Sequence, residues 1–149
     1  MIRKLSKDEY RQSATLSAEL LQLWESSVRS THHFLSEEDI LFYKKLVPQY
    51  FPEVDLYIIR NEEKHITAFM GLSNDTVEML FVRPEEQGKG YGKQLLDYAI
   101  RERNIRKVDV NEQNKQACDF YSHQGFSVTG RDETDASGKP FPILHLQYP

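Results

Sequence analysis

Leu16, Leu20, Leu23, Trp24 and Val28 recur at helical steps, which predicts a helix with one apolar stripe packed on a sheet. Upstream, Ser6 and Glu9 have capping-box spacing, so the helix is expected to start at Ser6-Lys7-Asp8-Glu9 and to run until Ser30-Thr31-His32-His33 interrupts it. The short alternation Met1 to Leu5 before it reads as a strand. Ser36-Glu37-Glu38-Asp39 repeats the cap signal, and Ile40, Tyr43, Val47 and Tyr50 predict a second helix stopped by Pro52. Val54 to Arg60 and His65 to Leu72, separated by the polar turn Asn61 to Lys64, predict a hairpin. Thr76 to Val82 forms the next strand, and Pro84, which has no amide to donate, ends its pairing. Tyr91, Leu95, Leu96, Ala99 and Ile100 trace a helix face, Lys107 to Val110 is a short strand, and Asn114 to His123 is a helix that Gly125 can end in a left-handed conformation. Strand, helix, strand, helix implies local parallel pairing. Phe126 to Thr129 and Ile143 to Tyr148 alternate as strands around a long hairpin turn at Asp135 to Pro140. The fold class is α/β, and 149 residues without a linker or repeat are expected to form one domain, residues 1–149.

Composition narrows the functions available. A net charge of −4 argues against a nucleic-acid binder, which needs a basic face to displace counterions. No stretch approaches the roughly 20 apolar residues of a membrane span. The single cysteine, Cys118, has no internal partner, and Met1 to Glu9 lacks the apolar run of a signal peptide, so the expected compartment is the cytoplasm. No His, Cys or carboxylate cluster has metal-ligand spacing.

The chemistry concentrates where the strand Thr76 to Val82 leads into a helix. Gly88, Gly90 and Gly92 alternate with Lys89, Tyr91 and Lys93, so backbone can approach a ligand without intervening Cβ atoms. Amides and the helix dipole at the following helix start then favour an anion, and a diphosphate fits there. A Walker loop is excluded because Lys93 is followed by Gln94, and the dinucleotide pattern G-x-G-x-x-G fails at Lys93 and Leu95.

Gln87-x-x-Gly90-x-Gly92 after a strand resembles the cofactor signature of the GNAT superfamily of N-acetyltransferases. Asn114-x-x-Ala117-x-x-Phe120-Tyr121-x-x-x-Gly125-Phe126 is similar to that family's second cofactor-binding block. The resemblance covers most of the chain. It is strongest to bacterial single-domain members, through Asn111-Glu112-Gln113-Asn114 and Gly138-Lys139-Pro140. It implies a GNAT fold: a central mixed, twisted sheet with helices on both faces, its strands splayed near Val82 and Val110 to admit acetyl-CoA. It also implies pyrophosphate on the turn Gln87, Gly88, Lys89, Gly90, Tyr91, Gly92 and Lys93. Pantetheine would lie along Leu80, Phe81 and Val82, with contacts to Asn114 and Asn111. The implied activity is direct acetyl transfer from acetyl-CoA to a primary amine, a small molecule or a protein amine, by a monomer or homodimer. Tyr121 matches the tyrosine that protonates the departing thiolate in many members, and Glu78 lies where several place a glutamate that takes the amine proton. Strand alternation puts Glu78 on the face of Leu80 and Val82, opposite Val77, Met79 and Phe81.

Each of these residues also has a plainer reading. Tyr121 can pack its ring and merely touch the cofactor, and Glu78 can face solvent. His32 and His33 can help wall the acceptor site or simply be solvated, and Cys118 reads as packing. A CoA-binding regulatory module without turnover would carry the same glycine turn.

Overall fold

The computed structural model describes residues Met1–Pro149. Its elements follow in the order β1 (Ile2–Lys4), α1 (Lys7–Gln12), α2 (Ala14–Thr31), α3 (Glu37–Tyr50), β2 (Asp55–Arg60), β3 (Ile66–Ser73), β4 (Thr76–Val82), α4 (Tyr91–Arg103), β5 (Lys107–Asn111), α5 (Lys115–His123), β6 (Ser127–Asp132) and β7 (Ile143–Gln147). The strands form one mixed sheet in the order β1-β2-β3-β4-β5-β7-β6. The expected β2–β3 hairpin is antiparallel, and β4 and β5 form the expected parallel pair. None of the helices is long and apolar enough to cross a membrane.

Each face of the sheet carries its own core. Leu95, Leu96 and Ala99 of α4 and Tyr121 of α5 pack with Tyr57, Met70, Val77, Val108 and Leu146 on one face. On the other, Leu16, Leu20, Leu23, Trp24 and Val28 of α2 pack with Leu56, Ile58, Ile66 and Phe69. The α2 stripe is thus the buried stripe read from the sequence.

The single first helix expected from Ser6 is two helices. Both capping-box bonds at Ser6 and Glu9 form, but the chain leaves helical geometry at Ser13 (φ −121°, ψ 99°), whose side chain caps α2 by accepting from the Leu16 amide. Serine favours this position because its hydroxyl replaces a missing backbone partner. The second helix extends through Pro48, which sits in the last turn of α3, and Pro52 falls in the 3-10 turn Phe51–Glu53 that follows. Strand β6 runs on to Asp132, beyond the expected Thr129, and β7 inserts between β5 and β6.

Two irregularities shape the middle of the sheet. Parallel pairing between β4 and β5 is confined to Thr76 with Lys107 and Val77 with Val108, after which the strands part. Against β3, Leu72 faces Val77 and Gly71 faces Met79, so Glu78 is an extra, unpaired residue, a β-bulge. The bulge resets the alternation: Val77, Leu80 and Val82 share the α4–α5 core, while Met79 and Phe81 pack toward α1–α3.

Candidate active site

The parting of β4 from β5 opens a cavity of about 320 Å³. Leu80, Phe81 and Val82 form one wall, the glycine turn and the start of α4 another, and Asn114, Ala117, Phe120 and Tyr121 of α5 a third, with Ser27, Thr31 and His32 from the end of α2 completing it.

The start of α4 differs from that of every other α-helix in the molecule. Ser6, Ser13, Ser36 and Asn114 each cap their helix with a side-chain oxygen, whereas Gly90, the N-cap of α4, makes no such bond. The first amides of α4 are left for an outside acceptor. Gly88 (φ +80°) and Gly90 (φ +86°) hold left-handed backbone, and a Cβ placed on either would meet nothing within 4 Å. The turn therefore presents bare backbone to open space at the positive end of a helix dipole, which is what a diphosphate requires. Gln87 ties this turn to its surroundings, donating to the Val82 carbonyl at 3.3 Å and accepting from Gln116 of α5 at 3.4 Å across the cavity mouth.

Tyr121 is 5% exposed, with its ring edge-on to Phe120 and Phe126 at centroid distances of 5.2 and 5.6 Å. Burial pushes its phenol well above the usual tyrosine range, so it stays protonated and able to donate. Asn114 spends its Oδ1 on the Ala117 amide, capping α5, and its side-chain nitrogen is left for a ligand.

Of the residues singled out in the sequence, Leu80, Phe81, Val82, Gln87, Gly88, Gly90, Tyr91, Gly92, Lys93, Asn114 and Tyr121 line this one cavity. Lys89 turns aside to pair with Glu86 at 2.8 Å, and Asn111 lies outside the lining, its Oδ1 accepting from the Gln113 amide. Glu78 stands apart as well. The bulge turns it toward α3, where it accepts from Ser73 Oγ at 2.6 Å and lines an open groove of about 840 Å³ with Tyr43, Asp109, Asp132, Asp135 and His145. That groove is strongly acidic, and His145 sits in it between Asp109 (2.7 Å) and Asp132 (3.0 Å), which raise its pKa. Cys118 packs at the back of α5, its thiol 3.6 Å from the Asn111 carbonyl and pushed up by burial. No group of His, Cys, Asp and Glu has the arrangement of a metal site.

The loop between β6 and β7 walls the groove and is tethered to α3. Tyr43 donates to Asp135, Lys139 pairs with Asp39 at 3.0 Å and lies over the Phe42 ring, and Phe141 packs between Phe34 and Tyr43. Sequence reading missed Ser27, Thr31, Glu86 and Gln116 as cavity residues. The first two sit one helical turn apart on the α2 face that meets β4, a relation that becomes visible only once the helix is docked.

A bare glycine cradle, parted strands and a protonated tyrosine in one cavity call for comparison with acetyl-transfer enzymes. The family model for the acetyltransferase (GNAT) domain matches residues 52–128. The chain belongs to the GNAT acetyltransferases. Over 130 residues it is 42% identical to the peptidyl-lysine N-acetyltransferase YjaB of Escherichia coli K12, spanning 87% of this chain and 88% of that one. The solution structure of apo YjaB from Escherichia coli superposes with a TM-score of 0.83 at 37% identity, covering 99% of this chain and 96% of the other. A less similar solved protein, the PaiA N-acetyltransferase of Thermoplasma acidophilum in complex with coenzyme A, shares the fold with a TM-score of 0.68 at 22% identity, over 99% of this chain and 98% of that one. The mixed sheet with helices on both faces is thus the GNAT fold, and the activity class is acetyl transfer.

Proposed function

We propose that this GNAT enzyme transfers the acetyl group of acetyl-CoA directly to the side-chain amine of lysine in proteins or peptides, within a ternary complex. The observation that carries the reading is the convergence of an uncapped α4 N-terminus, the unpaired edge of β4 and Tyr121 on one cavity. The amides of the glycine turn would hold the diphosphate. The edge of Leu80 to Val82, which no strand pairs, would accept the pantetheine arm as an added length of strand, with Asn114 contributing its side-chain amide. When bound, the cosubstrate supplies a thioester carbonyl activated toward attack.

The chain must then solve two proton problems. A lysine amine with pKa near ~10.4 is neutral in only about one molecule in a few thousand at pH 7, an opposition of roughly 4 to 5 kcal/mol. The departing sulfur needs a proton. Tyr121 is suited to give it, because the burial that raises its own pKa would raise that of a thiol in the same cavity, keeping the pair matched. For the acceptor, the acidic groove bearing Glu78 favours a cationic side chain, and the relative named as a peptidyl-lysine enzyme points to lysine among the cationic amines. Glu78 would hold the arriving ammonium on this side of the sheet.

Tyr121→Phe tests the reading. Thiol release with lysyl peptides should fall by about 10²- to 10⁴-fold, the usual contribution of a general acid. Calorimetric affinity for acetyl-CoA should stay within a few-fold of wild type. If the wild-type protein bound acetyl-CoA but released no thiol with peptide, protein or small amines, it would be a CoA-binding module instead.

A further inference from the structure

His32 is the one histidine on the wall of the cofactor cavity, shared there with Leu80, Phe81 and Tyr121. It follows the last residue of α2, and its amide closes that helix by donating to the Val28 carbonyl at 2.7 Å. Thr31 and the ring of Phe34, 5.3 Å away between centroids, flank its imidazole. The Thr31 hydroxyl donates to the Ser27 carbonyl at 2.9 Å, and the same oxygen lies 2.8 Å from Nδ1 of His32. A hydroxyl has one proton to give, and that of Thr31 goes to Ser27, so Nδ1 is the donor to Thr31. The ring is therefore the Nδ1–H tautomer. Its Nε2 keeps a lone pair that no group of the protein engages.

Resting on the acetyl-transfer reading above, we infer that Nε2 of His32 takes the proton from the acceptor amine as that amine attacks the thioester. The acceptor first sheds its ammonium proton to solvent. The nitrogen lone pair then forms the C–N bond to the carbonyl carbon, and the C–S bond breaks with its electron pair passing to sulfur. One N–H proton of the attacking nitrogen moves to Nε2, and the Tyr121 hydroxyl proton moves to sulfur. Water returns the His32 proton to the Tyr121 phenolate, and the net change is amine plus acetyl thioester to amide plus thiol.

The protonation state of the ring fits this role. Burial, with a smaller contribution from His33, lowers its pKa to about 4, so it is a neutral acceptor at physiological pH. Such a base cannot strip a free ammonium with pKa near ~10.4, but an N–H on nitrogen already bonded to a carbonyl carbon is far more acidic. An anionic cosubstrate in the same cavity also moves the imidazole back upward. The other ionisable groups on the cavity wall are Glu86, Tyr91, Lys93 and Tyr121, with His33 next in the chain.

The test uses His32→Gln and His32→Asn in the full chain, together with ring ¹⁵N spectra of the wild type. Asparagine keeps a donor for Thr31, and glutamine places an amide where Nε2 was; neither accepts the proton. In both, kcat with a lysyl peptide should fall by about 10²-fold or more. Acetyl-CoA affinity by calorimetry should hold within about threefold, and the acidic limb of the kcat–pH profile should become less steep, keeping the slope of amine ionisation and losing that of the imidazole. The wild-type spectra should show a protonated Nδ1 and a bare Nε2. An Nε2–H tautomer would overturn the inference, even if neither variant folded. A folded variant with kcat within threefold of wild type would do the same, as would a uniform loss across pH accompanied by weakened acetyl-CoA binding. In those cases acetyl transfer by the wild type would survive; wild-type silence toward every amine would remove the reading beneath it.

Discussion

His32 links catalysis to stability because its ring is neutral in the folded state. Its folded pKa of about 4 lies below the ordinary value of 6.5, so between those values the unfolded chain binds the proton and the folded chain does not. Stability from this source is complete above pH 6.5 and is lost as pH falls through 4, by up to about 3 kcal/mol. Denaturant unfolding of wild type and His32→Gln from pH 7 to 4 should show the wild type losing more stability by that amount. Carboxylates held low by their partners, such as Glu25 beside Lys44 and Arg29, lose stability over the acid range in both proteins and cancel in the comparison. At this scale the sequence was informative where chemistry is carried by backbone and spacing. The glycine turn, Asn114 and Tyr121 lie within two short segments, and the fold brings those segments together. His32 was visible only as one of two adjacent histidines, because its value depends on Thr31, Ser27 and the docking of α2 against β4. For Glu78 the simple alternation failed, since one inserted residue exchanges the faces of everything before it.

The bulge in β4 belongs to the element scale, and Gly71 opposite it is its tightest point. A Cβ there would stand 2.8 Å from Cγ2 of Val54 and 3.5 Å from Cβ of Met79. Val54 is buried and β-branched, so it has little freedom to yield. Gly71→Ala should cost about 1 to 3 kcal/mol, read as a lower denaturant midpoint with an unchanged slope. Placement of Glu78 and the unpaired edge of β4 should suffer with it. Helix content was legible from periodicity and caps, and the errors have local causes. Ser13 offers a capping hydroxyl within what reads as one continuous helix, and Pro48 is tolerated because it comes so near the end of α3. The insertion of β7 between β5 and β6 is a long-range pairing decision that no local pattern encodes.

Across the whole molecule, net charge is less instructive than its placement. The chain carries only −4 overall, yet Glu53, Glu78, Asp109, Asp132, Glu133 and Asp135 all line the groove on the α3 side. Attraction between this groove and a cationic peptide acts through water and is screened over roughly 8 Å at physiological ionic strength. The apparent KM for lysyl peptides should therefore rise severalfold between 50 and 500 mM salt, while that for a neutral-bodied small amine changes less; steady-state kinetics across a salt series checks this. Donor and acceptor requirements are served by different parts of the chain. On the proposed reading the cofactor cavity is built on β4, α4, α5 and the end of α2, whereas the acceptor side is bounded by α3 and the loop between β6 and β7.

That loop is fastened to α3 by Tyr43, Asp39 and an aromatic contact at Phe141, and to the end of β5 only near its own end, where Pro142 accepts from the Glu112 amide at 2.9 Å. It is a replaceable part. On the proposed reading, exchanging residues 134–140 would retune which amine is admitted while Phe141, the glycine turn and Tyr121 stay in place, giving one scaffold many clients.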